Sequence, residues 1–193
     1  MFSLKVDEDL SLRLYQPEDA EELFNLTIES KKYLKQWLGW LDYTNTAEDS
    51  ASFIHSSLSA YEKNGEHPQA AAIIYKGKIA GTIGFNEIST FHKIGVIGYW
   101  LADKYQGKGI MSRAFSALVH YGFEEADLNR LEVRAAAGNV KSRALPERLG
   151  FTEEGRIREA EWLYDHYVDH IVYGLLKKEY ISKETNVLHS TTI

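Results

Sequence analysis

Along this chain of 193 residues, apolar positions switch repeatedly between a two-residue and a 3.6-residue period. Leu10–Tyr15 alternates Leu, Ser, Leu, Arg, Leu, Tyr and predicts a strand. Ala20, Leu23, Phe24 and Ile28 then share one helical face, with Pro17 in the first turn. Glu18, Asp19, Glu21 and Glu22 suit the positive end of that helix. A second helical stripe follows at Tyr33, Leu34, Trp37, Leu38 and Leu41. Thr46 is placed to cap a third helix with the face Phe53, Ile54, Leu58, Tyr61, and Asn64-Gly65 ends it.

Three strand patterns come next, at Gln69–Tyr75, Lys78–Glu87 and Ile94–Leu101, the first two joined by a short hairpin at Lys76-Gly77. A helix over Ile110–Glu125 buries Met111, Ala114, Phe115, Leu118, Val119 and Gly122. Arg130–Ala135 is a strand. Gly138–Leu149 predicts a short helix stopped at Gly150, and Pro146 within it predicts a kink or a late start. Phe151–Ile157 is another strand, and Glu159–Tyr164 with Tyr167–Leu176 form a last hairpin around Asp165-His166. This order is that of an α+β, or mixed α/β, fold. One domain over residues 1–180 and a polar tail over 181–193 are expected.

Composition narrows the chemistry. There is no cysteine, which excludes disulfides, thiolate metal sites and a cysteine nucleophile. A net charge of −6 argues against a nucleic-acid partner. The N-terminus has no apolar signal region and no stretch reaches membrane-span length, so the expected location is the cytoplasm. His166 and His170 lie in a predicted hairpin and make a poor metal pair, so no metal is expected. No Gly-x-Ser-x-Gly marks a serine nucleophile.

The whole chain is organised around 94–125, where a strand runs through a glycine-rich turn into a helix. Gly107 and Gly109 let the backbone approach a ligand closely. The first N–H groups of the helix lack partners and lie at its positive end, which makes an anion site. Lys108 adds a formal charge. A P-loop would need Ser or Thr after Gly-Lys, but Gly109 stands there. A dinucleotide fingerprint would need glycine or alanine where Ser112 stands.

Here the chain resembles the GNAT N-acetyltransferases. Gln106-Gly107-Lys108-Gly109-Ile110-Met111 resembles their acyl-CoA pyrophosphate loop, Gln/Arg-x-x-Gly-x-Gly/Ala. Met111 departs from the usual small residue and has to turn into the core. Asn139-Val140-Lys141-Ser142, followed by Leu149-Gly150-Phe151, resembles the family's second acetyl-CoA motif, 30 residues beyond Gly109. Trp37-Leu38-Gly39-Trp40 and the segment around Glu161-Trp162 resemble the RimL-like branch. The resemblance covers the chain to about Tyr180 and implies a mostly antiparallel, twisted sheet of six to seven strands flanked by helices.

It also implies acetyl-CoA as cosubstrate and direct acetyl transfer to a primary amine. The branch's acceptors are N-terminal α-amines, notably of ribosomal proteins. A small amine (aminoglycoside, polyamine or amino acid) is the alternative, and a non-enzymatic acetyl-CoA sensor or scaffold the third reading. In the resemblance Asn139 contacts the coenzyme and Ser142 lies near the thioester sulfur, though either also fits a helix cap. Glu161 is the candidate general base, with Glu159 as rival. A carboxylate desolvated beside an aromatic such as Trp162 is better suited to that task. Arg156 and Arg158 are placed to orient either carboxylate or to bind substrate. Backbone groups of Tyr99, Trp100 and Leu101 would hold the pantetheine and thioester. Tyr33, Trp37 and Trp40 either pack a helix on the sheet or wall an acceptor pocket or homodimer contact.

Overall fold

The computed structural model describes residues 1–181, so the expected polar tail lies, apart from Ile181, outside the described residues. One sheet of eight strands runs through the molecule in the order β1-β2-β3-β4-β5-β6-β8-β7. The strands are β1 (Ser3–Lys5), β2 (Leu10–Leu14), β3 (Ala71–Tyr75), β4 (Lys78–Ser89), β5 (Ile94–Leu101), β6 (Arg130–Ala136), β7 (Thr152–Leu163) and β8 (His166–Leu176). Every neighbouring pair is antiparallel except β5 with β6.

The helices are α1 (Ala20–Glu29), α2 (Lys31–Leu34), α3 (Ala47–Lys63), α4 (Ile110–Glu124) and α5 (Val140–Arg148). Alternation along the strands feeds two cores. Leu10, Leu12, Leu14, Ile73 and Phe85 pack with Phe115 and Leu118 of α4. Tyr15, Ala72 and Ile79 pack with Leu23, Leu26 and Ile54 of α1 and α3. Thr46 caps α3 as its sequence predicts: Asp49 N–H donates to Thr46 Oγ1 at 3.3 Å, and Thr46 N–H donates to Asp49 Oδ2 at 2.9 Å.

The sheet exceeds the expected six to seven strands because β1 is too short, at three residues, to show a period. The segments Phe151–Ile157 and Glu159–Tyr164 are one strand, β7, interrupted by an irregularity between Ile157 and Glu161. The helical stripe over Tyr33–Leu41 is also corrected. Helix α2 stops at Leu34, and 35–44 is a loop with a 3-10 turn at Leu41–Tyr43. Leu38 N–H still donates to Leu34 O at 3.0 Å, but beyond it tertiary hydrogen bonds take the place of the helical ones. Tyr164 Oη donates to Leu38 O at 2.5 Å and accepts from Leu41 N–H at 3.3 Å.

The parallel pair matters most. Strands β5 and β6 are in register only from Ile94↔Arg130 to Ile97↔Val133. Beyond that, β5 continues with β4 to Leu101, while β6 continues with β8 to Ala136↔His170. The sheet therefore splits open at its middle.

Candidate active site

The split exposes one edge of β5. Ala102 N–H donates to Ala80 O on β4 at 2.9 Å. By alternation, the backbone groups of Trp100, opposite Thr82, also face β4. Those of Tyr99 and Leu101 face the gap. Of the three residues expected to offer backbone groups there, the structure supplies two. Trp100 instead contributes its ring, 6.2 Å from that of Trp40.

On one side of the gap lies a cleft of ≈ 370 Å³. Its floor includes Tyr99, Trp100 and Leu101; its end is formed by Gln106, Gly107, Gly109, Ile110 and Met111; its wall is Asn139, Ser142 and Leu145 of the α5 segment. Gly107 and Gly109 have φ of +73° and +67°, and a Cβ built on either would meet nothing within 4 Å. The backbone thus faces open space in a left-handed conformation that favours glycine. Gly109 is the N-cap of α4 and supplies no side-chain cap. The first N–H groups of this 15-residue helix therefore point into the cleft, as an anionic group requires. Met111 packs against the core, as its size demands.

Lys108 does not join this cradle. Its Nζ turns back to Lys104 O at 3.0 Å and lies over the Tyr105 ring. The cations lining the cleft are Lys141 and Arg148, which sequence reasoning missed. Lys141 Nζ reaches Gln106 Oε1 at 3.4 Å, and Arg148 Nη2 reaches Ser112 Oγ at 3.5 Å. Their signal was present: both sit on the short helix that the second motif spans.

The question of which residue caps α5 resolves on geometry. Ser142 N–H donates to Asn139 Oδ1 at 3.2 Å, so Asn139 is the cap and the Ser142 hydroxyl is free for another partner. That partner is Tyr99, whose Oη accepts from Ser142 Oγ at 3.1 Å. Burial pushes the Tyr99 hydroxyl up to about 12, against the lowering effect of the Ser142 hydrogen bond, so it remains protonated. The alternating pattern of β5 gave no hint of this contact, because Tyr99 read as core.

A second cavity, ≈ 530 Å³, opens on the other side of the split. Tyr99, Asn139 and Ser142 are shared between it and the first. Glu161 lines it, together with Trp37, Trp40, Asn86 and His170. The aromatic residues of the 35–44 loop are thus walls, not helix packing. Glu159, the rival, stands apart from this cavity. It sits at φ +48°, with its N–H donating to Asp169 Oδ1 at 2.7 Å, and it does not line the cavity. Two residues apart on an even strand would share a face, but the irregularity breaks that rule. Trp162 does not shelter Glu161 either; half exposed, it packs edge-on against Tyr167 at 4.8 Å. Arg156 binds Asp169 at 2.5 Å, and neither it nor Arg158 lines the cavity. Among the described residues no group of His, Asp and Glu could hold a metal ion.

The arrangement can hold an anion at α4, an extended arm along β5, and a reacting group at Tyr99, with a hydroxyl on one side and a carboxylate on the other. Known proteins resemble this chain over most of its length. Residues 9–152 match the family model described as "Acetyltransferase (GNAT) domain". The protein YdaF of Bacillus subtilis (strain 168) is 36% identical over 93% of this chain and 98% of its own. The ribosomal-protein-serine acetyltransferase of Escherichia coli (strain K12) is 30% identical over 89% of this chain and 95% of its own. The solved structure of RimL, a ribosomal alpha-N-protein acetyltransferase in complex with coenzyme A, superposes with a TM-score of 0.87 at 28% identity, covering 92% of this chain and 99% of that one. A family model matched over residues 9–152, together with relatives 30% and 36% identical along nearly their whole length, shows that this chain belongs to the GNAT acetyltransferase family.

Proposed function

We propose that this protein is an acetyl-CoA-dependent N-acetyltransferase acting in the cytoplasm on the N-terminal α-amine of a ribosomal or similar protein. The observation that carries the reading is the pair of cavities meeting at Tyr99, one ending in the α4 cradle and the other holding Glu161. Acetyl-CoA supplies the activated acyl carbon. The uncapped N–H groups at 110–112, with Lys141 and Arg148, suit its phosphates. The free backbone edge at Tyr99 and Leu101 suits the pantetheine arm.

Glu161 is the group on the acceptor side that takes the proton from the incoming ammonium. An α-amine, with a reference pKa of about 7.7–8.0 against about 10.4 for lysine, needs only a modest base. Backbone N–H at the gap steadies charge on the acyl oxygen. When the thioester is bound, the Ser142 hydroxyl rotates its one proton from Tyr99 Oη to the departing sulfur, while Tyr99 stays held by its own bond to the Ser142 carbonyl. The relatives named for ribosomal-protein acetylation support this acceptor.

The test is acetyl-CoA consumption against peptides with free N-terminal Ser or Ala, the same peptides with blocked N-termini, aminoglycosides and polyamines. Turnover confined to the free peptides is the expected result. Turnover on the small amines, with none on peptides, would replace the acceptor.

A further inference from the structure

Glu161 has a partner on the neighbouring strand. His170 Nε2 lies 3.0 Å from Glu161 Oε2, and both side chains line the acceptor-side cavity. We propose that His170 is the positioning residue for Glu161, holding one carboxylate oxygen so that the other faces the incoming ammonium. The proposal rests on reading Glu161 as the base.

The backbone brings the two together deliberately. Four steps along β7, from Ile157 to Glu161, match two along β8, from His170 to Val168. The extra residues form a bulge, which re-aims the side chain that follows it. Asp169 fixes the bulge: it accepts from Glu159 N–H at 2.7 Å and from Arg156 Nε at 2.6 Å. Its neighbour His170 is then left on the cavity face. The side chain of His170 is 18% exposed and that of Glu161 36%. The other His–carboxylate pair, His166 with Asp165, sits at the hairpin tip, 62% and 86% exposed, and lines no such cavity.

Histidine suits this place because a neutral imidazole N–H orients a carboxylate without cancelling its charge. In the productive state the ammonium proton passes to the free oxygen of Glu161, and the nitrogen lone pair is released for attack. The other charged and titratable groups facing the pair are few. Arg134 on β6 is salt-bridged to Glu132 at 2.6 Å. Glu87 on β4 lines the same cavity. Tyr164 at the hairpin donates to Leu38 O. Lys35 and Asp42, in the loop that Tyr164 anchors, pair with each other at 2.7 Å. Asp169 beside His170 is taken by Arg156.

The experiment measures kcat and KM across pH for the full chain, with acetyl-CoA and a peptide bearing a free N-terminal serine. The variants are H170A, H170Q, E161Q and H170A/E161Q, with thermal shift on coenzyme A to check folding. E161Q should lose about 100-fold in kcat. H170A should lose about tenfold with KM for acetyl-CoA unchanged, and should add nothing to E161Q. H170Q, which keeps a side-chain N–H donor to the carboxylate, should recover turnover to within about threefold. No loss in H170A, no recovery in H170Q, or losses that multiply in the double variant, would overturn the role of His170. A wild-type E161Q would instead remove the base assignment on which the proposal stands.

Discussion

The Tyr99 hydroxyl donates to the backbone carbonyl of Ser142 at 3.0 Å, and that carbonyl is available because Pro146, four residues on, has no N–H to offer it. A proline inside a short helix thus frees an acceptor in the active site. The Ser142 hydroxyl closes the exchange by donating to Tyr99 Oη. Tyr99→Phe should lower kcat by about tenfold and stability by about 1 kcal/mol. Burial raises the Tyr99 pKa to about 12, so its proton is kept through neutrality and lost only as pH rises toward that value. A wild-type pH–rate downturn near pH 10 that Tyr99→Phe abolishes would contradict this.

Pro146→Ala restores an N–H that competes for the Ser142 carbonyl. Turnover should fall by about threefold with coenzyme affinity unchanged, because only the Tyr99 contact is weakened. A helix-interior proline costs about 3 kcal/mol, so the melting temperature should hold despite the lost ring. Kinetics beside calorimetry on one preparation decide it.

Ser142→Ala should slow turnover more than it weakens coenzyme binding, because Asn139, not Ser142, caps α5. Single-turnover rates and titration calorimetry separate the two. A collapse of binding with turnover intact would return Ser142 to a structural role.

Gly109→Val places a β-branched residue at φ +67° on the lip of the cradle. Strain of about 1–2 kcal/mol and blocked backbone approach should together abolish measurable coenzyme binding. Normal affinity in a folded variant would reject the cradle.

The cation assignment has its own contrast. Lys141→Gln and Arg148→Gln should each weaken coenzyme binding by about tenfold, through loss of a charge-assisted contact. Lys108→Gln should change it by less than about twofold, since Lys108 folds back on Lys104 and Tyr105. Equal losses at all three would show that the field, not the lining, matters.

Arg13 holds Asp19 with two hydrogen bonds, at 2.6 and 2.9 Å, where β2 leads into α1. Burial alone would raise the Asp19 pKa, but Arg13 and the Gln16 N–H, which donates to Oδ2 at 2.8 Å, together overcome it and the net shift is downward. A depressed folded pKa stabilises the protein above the unfolded value of about 3.9 and is lost as pH falls through the folded one. Asp19→Asn should therefore cost about 2 kcal/mol at neutral pH, and the gap to wild type should close below about pH 4. Melting curves across pH read both.

Most of the fold was legible because it depends on local periodicity. The strands at β2 to β6, helices α1, α3, α4 and α5, the Thr46 cap and the glycine cradle all declare themselves within a dozen residues. The loop over 35–44 did not. Its apolar spacing is helical, yet Tyr164, more than 120 residues away, satisfies its backbone instead. Of the candidate site, the positions at 106–111, 139, 142 and 161 were readable as motifs; Tyr99 Oη, Lys141, Arg148 and His170 were not. Each of those acts through a neighbour on another element, and no sequence period records that.

The sequence by itself determined where the backbone could turn, which stretches would bury a face, and that an anion would find bare amides after Gly109. Those are properties of short windows, set by sterics and by the burial of apolar surface. Only the tertiary structure decided that β5 and β6 part after Ile97, that a bulge turns Glu161 toward His170 and leaves Glu159 outside, and that Lys108 faces away from the cleft. Such choices follow from strand register and side-chain packing between distant segments, where the energies that select one arrangement arise from contacts the linear order does not contain.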